Sequence, residues 1–254
     1  MTTNHLDARI ARGRPLLTCY FPLGDPLFDD AMLALYARCG VDILELGVPT
    51  LDPFMDGADV ASAMRIAIDE GADIAARLAE ITGWLRADAA RPAGICMTYP
   101  DIDFARILDR PALDCLDGLL MPGLDGRHDA DAIRAATLAA GTRLIAFVST
   151  EPDATEIAAA RATDGYVMLQ ARAGITGPSD LDPAASVRIA ALRDAGVTQP
   201  ILLGFGISSA DQAAQALAMG ADGVIIGSMC IRMARKGADR IEEFLADVRA
   251  TLDG

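Results

Sequence analysis

Lysine and histidine are nearly missing from this chain of 254 residues, and their scarcity excludes several common kinds of active site. The single lysine, Lys236, lies in a predicted helical region near the C-terminus and not at a strand end, so a Schiff-base enzyme is disfavoured. The two histidines, His5 and His128, lack the spacing of metal ligands, which argues against a zinc enzyme, and we expect both on the surface. No metal site and no Ser-His-Asp or Cys-His constellation is predicted.

Cysteine shows no pairing pattern either. The five cysteines are odd in number and scattered, mostly in apolar segments, and none forms a CxxC motif. Such thiols are typical of the reduced cysteines of a cytoplasmic protein. The first residues lack the basic and apolar regions of a signal peptide, and no apolar run is long enough to span a bilayer. We therefore expect a cytoplasmic protein that is not inserted in a membrane.

Positive charge is also scarce, since 22 Lys and Arg residues face 36 Asp and Glu residues for a formal net charge of −14. This charge repels nucleic acids and anionic membranes, so neither is an expected partner. An anionic ligand would need a local positive site. What the chain does have is 52% hydrophobic residues and 23 glycines, which are enough for a sizeable buried core.

Short apolar stretches alternate with Ala-rich amphipathic segments, which is the pattern of βα units around a parallel sheet. The eight predicted strands are residues 16–21, 41–48, 93–98, 117–121, 143–149, 165–169, 200–204 and 222–226. Eight such units in about 250 residues indicate a TIM (β/α)8 barrel of the α/β class with extra helices, and an open doubly wound sheet is the alternative. No linker divides the chain, so residues 1–254 are predicted to form one domain, with 1–15 as an extension before the barrel.

Helices are predicted between the strands and after the last of them. Their ranges are 27–38, 59–70, 101–109, 129–139, 153–162, 183–195, 209–218 and 238–252, with a further helical run at 74–87 that lies outside the basic repeat. The last helix places apolar side chains at helical spacing, namely Ile241, Phe244, Leu245, Val248 and Leu252. We expect this helix to pack on the barrel.

Two acidic residues stand out around the second predicted strand. Glu45 lies inside an almost wholly apolar run, where a carboxylate loses its hydration unless it is paired or has a chemical role. Asp56 follows eleven residues later, beside Gly57 in a loop that contains Pro49 and Pro53. A buried carboxyl with a raised pKa and a wetter, ionised one form a pair suited to proton transfer. The alternative is a buried glutamate bonded to an amide or hydroxyl, with aspartates in an ordinary turn.

Three glycine-bearing segments follow the last three predicted strands, at residues 172–177, 204–208 and 227–228. Glycine lets backbone N–H groups approach a phosphate closely, and a short helix after Gly227 would direct the positive end of its dipole at an anion. TIM barrels commonly hold phosphate at the loops after strands seven and eight. A single Gly-Phe-Gly motif is commonly just a tight turn, but three such segments at consecutive strand ends favour a phosphate site that needs no lysine.

With these segments together, the chain resembles the tryptophan synthase alpha chain family from about Leu16 to the C-terminus. The matching motifs are Gly-Asp-Pro at 24–26, the acidic loop at 45–57, Met-Thr-Tyr at 97–99, Gly-Tyr at 165–166 and the glycine segments. The resemblance implies a TIM barrel and the retro-aldol cleavage of indole-3-glycerol phosphate to indole and glyceraldehyde 3-phosphate, without a cofactor. It also implies a beta chain as partner.

The same resemblance implies roles for individual residues. Glu45 matches the general acid/base that protonates indole C3, and Asp56 matches the carboxylate that interacts with the indole N–H. The matching phosphate-contacting positions are Gly177, Gly206, Gly227 and Ser228. Phe205 matches a wall of the indole pocket, and Tyr99 and Met168 are further candidates for substrate binding.

Several positions depart from the family pattern. Thr50 and Leu51 replace the usual Phe-Ser of the loop that faces the beta chain in the family, and Ala58 replaces a proline. Met168 replaces a tyrosine near the catalytic glutamate, and Gly123 replaces an aspartate. Three functions are therefore compared: an active lyase working as a subunit or alone, an idle alpha-like subunit that activates a beta-type partner, and a lyase or isomerase for another phosphorylated substrate.

Overall fold

Eight parallel strands close into a barrel in the order in which they occur along the chain. The computed structural model describes residues 4–104, 110–171 and 181–254, with only the backbone for 110 and 111. The strands are β1 (Leu16–Pro22), β2 (Ile43–Gly47), β3 (Ala93–Met97), β4 (Gly118–Leu120), β5 (Arg143–Val148), β6 (Val167–Gln170), β7 (Ile201–Gly204) and β8 (Gly223–Ile226). Each overlaps a predicted strand, with bounds that differ by up to two residues, and the predicted TIM barrel is confirmed.

Helices surround the barrel. The described ranges contain α1 (His5–Ile10), α2 (Asp30–Arg38), α3 (Ala58–Asp69), α4 (Ile74–Arg86), α5 (Arg110–Cys115), α6 (Ala130–Ala140), α7 (Ala154–Ala162), α8 (Ala184–Asp194), α9 (Ala210–Ala218), α10 (Ser228–Ala234) and α11 (Ala238–Asp253). The helix predicted near residues 101–109 lies largely outside the described residues. Helix α4 is the predicted addition to the basic repeat. Within the described part of the chain, none of these helices could cross a bilayer, given their length and polarity.

Capping residues in the sequence fix where several of these helices begin. The side chains of Asp29, Asp73, Asp153 and Ser209 each accept a hydrogen bond from the backbone N–H three residues later, at the first turn of α2, α4, α7 and α9. Because the first N–H groups of a helix have no partner inside it, such a cap stabilises a helix start by about 1 kcal/mol. For α2, α7 and α9, these starts place the helix directly after the loop at the carboxyl end of a strand, whereas α4 begins after the turn that follows α3.

The pairing of β1 with β8 closes the barrel, and it requires glycine at residue 223. Gly223 is in register with Leu16, and a Cβ at residue 223 would lie 2.3 Å from the Leu16 carbonyl oxygen. Helix α11 packs outside this part of the barrel against α2, α9 and α10. Its predicted apolar face is buried or partly buried, as expected for a packing helix.

The amino-terminal end of the barrel is covered by α1, which corrects one prediction. His128 is exposed as predicted, but His5 is half-buried and its backbone N–H donates to Asp117 Oδ1 at 2.8 Å. The expectation of a surface position for His5 was wrong because Asn4, which caps α1, also donates to the Asp117 carbonyl and so holds this helix against the barrel.

Candidate active site

Glu45 lies in the middle of β2 and points into the barrel. It is in register with Tyr20 of β1 and Ile95 of β3, and only 3% of the residue is exposed. The Tyr166 hydroxyl donates to Glu45 Oε1 at 2.8 Å. Tyr166 immediately precedes β6, which is the strand opposite β2 in an eight-stranded barrel, so this hydrogen bond crosses the interior.

The pKa of Glu45 is raised to about 7, chiefly because burial disfavours the charged carboxylate. The hydrogen bond from Tyr166 opposes this by stabilising the ionised form, and the negative charge of Asp56 adds to the increase. A carboxyl group with a pKa near 7 can both give and take a proton at neutral pH. Burial in the apolar strand therefore gives Glu45 the protonation behaviour that the sequence predicted.

Asp56 is held above Glu45 by the loop that follows β2. Its backbone N–H donates to the Pro53 carbonyl at 2.9 Å, and the Tyr99 hydroxyl donates to Asp56 Oδ2 at 2.5 Å. Burial raises the pKa of Asp56 to about 6, and the bond from Tyr99 lowers it. Since the charge of Asp56 also acts on Glu45, the structure brings the two predicted carboxyls to one place, with Asp56 the more acidic of the two.

Hydrogen bonds between neighbouring loops fix the loop that carries Asp56. The Thr50 hydroxyl donates to Asp101 in the loop after β3, and Thr50 Oγ1 accepts from the Asp52 N–H at 3.2 Å. Phe54 packs edge-on against Tyr99, with ring centroids 5.1 Å apart. Leu51 and Phe54 nevertheless keep 67% and 55% exposure. Of the two altered residues, Thr50 thus makes two hydrogen bonds within these loops, and Leu51 exposes an apolar side chain at the surface.

Gly123, in the loop after β4, has a backbone reason to be glycine. Its φ is 82°, in the left-handed region that side chains disfavour, and it begins a single 3-10 turn at Leu124–Gly126. Arg127 follows and donates to the carbonyls of Pro100 and Ile102, which ties this loop to the loop after β3. The change to glycine therefore fits the local turn.

Tyr166 is a site residue that the sequence analysis missed. Met168, two positions along, replaces the expected tyrosine and is buried in β6. Because side chains two residues apart in extended chain share a face, a hydroxyl at 166 still reaches the interior. Although Met168 brings no hydroxyl, Glu45 therefore still has a tyrosine partner in Tyr166. The two-residue spacing between Tyr166 and Met168 is the sequence signal that could have identified Tyr166.

Aromatic and sulfur side chains line the barrel opposite the acidic pair. Phe205, directly after β7, is buried and meets the ring of Phe147 at 6.1 Å in an edge-on geometry. Its φ of 66° is unusual for a residue other than glycine and indicates a backbone strained by its surroundings. Met168 is in register with Phe147, so Phe205, Phe147 and Met168 belong to one apolar surface.

Two of the three glycine segments, 204–208 and 227–228, lie where predicted, at the carboxyl ends of β7 and β8, and the segment at 172–177 lies outside the described residues. Gly206 follows β7 with a φ of 118°, and Gly227 and the buried Ser228 lie at the junction of β8 and α10. A Cβ at Gly227 would lie 3.9 Å from the Cβ of Tyr20, which places this segment beside β1. Gly177 lies outside the described residues. Among the residues that are described, no group of three or more His, Cys, Asp or Glu side chains could hold a metal ion.

Comparison with known proteins shows similarity over almost the whole chain. The sequence profile described as "Tryptophan synthase alpha chain" matches residues 6–253. The tryptophan synthase alpha chain of Xanthomonas oryzae pv. oryzae (strain MAFF 311018) is 34% identical, over 96% of this chain and 95% of that protein. That of Xylella fastidiosa (strain M12) is 32% identical, over 96% and 94%. A Mycobacterium tuberculosis tryptophan synthase structure superposes with a TM-score of 0.84 at 28% identity, over 98% and 97% of the two chains.

Proposed function

Because the chain belongs to the tryptophan synthase alpha chain family, whose members are lyases acting on indole-3-glycerol phosphate, we propose that Glu45 and Asp56 carry out this cleavage here. The observation that carries the proposal is the pair itself. One buried carboxyl has a pKa of about 7, and a second, more acidic one lies within range of its charge. Each is held by its own tyrosine. The products are indole and glyceraldehyde 3-phosphate.

In the first step, Glu45 gives its proton to carbon 3 of the indole ring. The ring loses its aromaticity and positive charge develops on the ring nitrogen. Asp56, ionised at neutral pH, accepts a hydrogen bond from the indole N–H and stabilises this charge. Since the charge is present in the transition state and not in the substrate, this interaction accelerates the reaction and does more than tighten binding.

In the second step, the bond between carbon 3 and the glycerol side chain breaks. Its electron pair returns to the ring and restores the aromatic indole, while the adjacent carbon becomes the aldehyde carbon of glyceraldehyde 3-phosphate. The proton of the hydroxyl on that carbon passes to the Glu45 carboxylate. Glu45 therefore ends the cycle protonated, and no cofactor is required.

We propose that the phosphate is held by backbone amides of Gly206, Gly227 and Ser228, together with Gly177. The support is that the loops after β7 and β8 meet at one end of the barrel, where backbone N–H groups can approach an anion without a side chain in between. Amide binding also accounts for an anionic substrate in a chain whose net charge is −14. The apolar surface at Phe205 would hold the indole ring.

Members of the family pair with a beta chain, and we propose that such a chain docks on the loop after β2. Leu51 and Phe54 support this because two large apolar side chains remain exposed on the loop that also positions Asp56. A partner that covers them would act on Asp56 through the same loop.

The direct test is steady-state release of indole from indole-3-glycerol phosphate by the purified chain, first alone and then titrated with a beta chain. We expect release by the chain alone and faster release in the complex. An idle activating subunit would release no indole in either case while still stimulating the beta chain. A lyase or isomerase for another phosphorylated substrate would bind phosphate and give no indole.

The pH dependence of cleavage should be bell-shaped, with a maximum of kcat/KM between about pH 6 and pH 7. Activity needs Asp56 ionised, which requires a pH above its pKa of about 6, and Glu45 protonated, which requires a pH below its pKa of about 7. Initial rates of indole release across pH 4.5–9 check this. A rate that is flat from pH 6 to pH 9 would exclude Glu45 as the proton donor.

Tyr166→Phe should move the alkaline limb of that profile to higher pH. The Tyr166 hydroxyl stabilises ionised Glu45 and so lowers its pKa, and without it Glu45 keeps its proton to a higher pH. The measurement is the same profile on the variant. Tyr99→Phe is the matched control, because it removes the corresponding hydrogen-bond donor from Asp56. It should raise the pKa of Asp56 and so move the acidic limb, and not the alkaline limb, to higher pH. An alkaline limb that stays in place or moves down would contradict the assignment.

A further inference from the structure

The Tyr20 hydroxyl is a buried polar group inside the barrel that lacks a hydrogen-bond partner among the described residues. The residue is only 4% exposed. Leaving a buried donor unsatisfied costs about 1–3 kcal/mol, so such groups in a native protein are rare and call for an explanation. Phenylalanine would fill the same space without this cost, which suggests that the hydroxyl meets a group that arrives with the ligand.

The position of the hydroxyl is fixed by Gly47. A Cβ at residue 47 would lie 1.9 Å from Tyr20 Oη, so the hydroxyl lies directly over the inner side of Gly47. Glu45 and Gly47 are two residues apart in β2 and share its inward face. The hydroxyl therefore lies just above Glu45, on the side toward the carboxyl ends of the strands, where a substrate of Glu45 has to be.

Both proposed catalytic carboxyls act on this hydroxyl. The pKa of Tyr20 is raised well above its ordinary value, first by burial and then by the negative charges of Asp56 and Glu45. The phenol thus stays protonated across the pH range in which the enzyme is expected to work. It is a hydrogen-bond donor on which both carboxyls of the proposed mechanism act.

The other end of Tyr20 lies beside the proposed phosphate site. Strand β1 is located between β8 and β2, and the Tyr20 Cβ is 3.9 Å from where a Cβ of Gly227 would be. The side chain therefore runs from the loop of Gly227 to the space above Glu45. A substrate with its ring at Glu45 and Asp56 and its phosphate at Gly227 must lay its three-carbon chain along Tyr20.

We propose that Tyr20 is a further catalytic residue, whose hydroxyl donates a hydrogen bond to the substrate oxygen on the carbon bonded to the indole ring. This inference rests on the proposed function. As the proton of that substrate hydroxyl passes to Glu45 and the carbon–carbon bond breaks, negative charge develops on the oxygen before it becomes the aldehyde oxygen. The O–H of Tyr20 stabilises this charge and keeps its own proton throughout.

The test is Tyr20→Phe in the full chain, assayed for indole release and thermal unfolding. Removing one donor from a developing oxyanion lowers kcat by on the order of 10²-fold with little change in KM. The Tm should equal or exceed that of the wild type, because the variant loses an unsatisfied buried hydroxyl. Tyr36→Phe is the matched control: Tyr36 is equally buried but lies on α2 outside the barrel, where its hydroxyl donates to the Tyr20 carbonyl at 3.5 Å. It should keep the wild-type kcat.

A second measurement uses indole-3-propanol phosphate, which has the ring, chain length and phosphate of the substrate but no side-chain hydroxyls. Tyr20→Phe should bind it with the wild-type Kd, since Tyr20 has no oxygen to contact there. A wild-type kcat in the variant, a lowered Tm alongside the lost activity, or weakened binding of this analogue would each overturn the proposal. If the wild-type chain itself releases no indole, the proposed function fails first, and that result is distinct from a variant as fast as an active wild type.

Discussion

Replacing Glu45 with Gln is expected to abolish indole release, with kcat reduced by roughly 10³–10⁴-fold, while the affinity for the substrate is largely kept. The amide has nearly the shape of the carboxyl and can still accept the hydrogen bond from Tyr166, so the geometry of the site is retained. What is lost is the proton that Glu45 gives to carbon 3 in the proposed mechanism. The measurement is steady-state kcat together with the Kd of a non-reactive analogue, and turnover near the wild-type rate would remove Glu45 from the mechanism.

The same variant should be more stable than the wild type at alkaline pH. The folded-state pKa of Glu45, about 7, is raised above its ordinary value of 4.5, so this group contributes stability that is lost as pH rises through 7. Above that pH the buried carboxylate disfavours the folded state by up to about 3 kcal/mol. Thermal unfolding at pH 5 and pH 8 checks this: Glu45→Gln should raise Tm at pH 8 only. Glu70→Gln, at an exposed position after α3, is the control and should change neither activity nor Tm.

Replacing Asp56 with Asn is expected to lower kcat by on the order of 10²-fold, because it removes the charge that stabilises the protonated ring. The amide oxygen can still accept from Tyr99, so the loop should keep its conformation. The acidic limb of the pH profile should disappear, since no carboxyl remains to be protonated there. Asp52→Asn, in the same loop but exposed, should behave as the wild type when no beta chain is present. Equal rates for the two variants would show that the charge at 56 has no catalytic role.

The fold could be predicted from the sequence because it follows from the alternation of apolar and amphipathic segments along the chain. Eight apolar strands separated by capped amphipathic helices allow few arrangements besides a barrel, and strand bounds follow from where the apolar runs stop. Glu45 could be singled out for the same reason, since an acid inside an apolar strand is visible without a structure. Asp56 could be paired with it because strand ends meet at one face of a barrel.

The network around the carboxyls could not be predicted in the same way. Tyr166 is 121 positions from Glu45, and the two meet only when the barrel closes and places β6 opposite β2. The unpaired hydroxyl of Tyr20 occupies space that is available only because residue 47 in the neighbouring strand is a glycine. The left-handed backbone of Phe205 has no signal in its residue type, since tertiary packing imposes it. His5 was misplaced because the packing of α1 is likewise a tertiary effect.

The bond between Tyr166 and Glu45 has a consequence for the way this enzyme can be divided. A cut in the exposed turn at Gly126, between β4 and β5, would leave Glu45, Asp56 and Tyr99 in the first fragment and Tyr166 with the glycines of β7 and β8 in the second. Neither fragment would contain both Glu45 with its hydrogen-bond donor Tyr166 and the glycines proposed to bind the phosphate. Indole production from two separately expressed fragments would therefore show that they reassemble into a closed eight-stranded barrel.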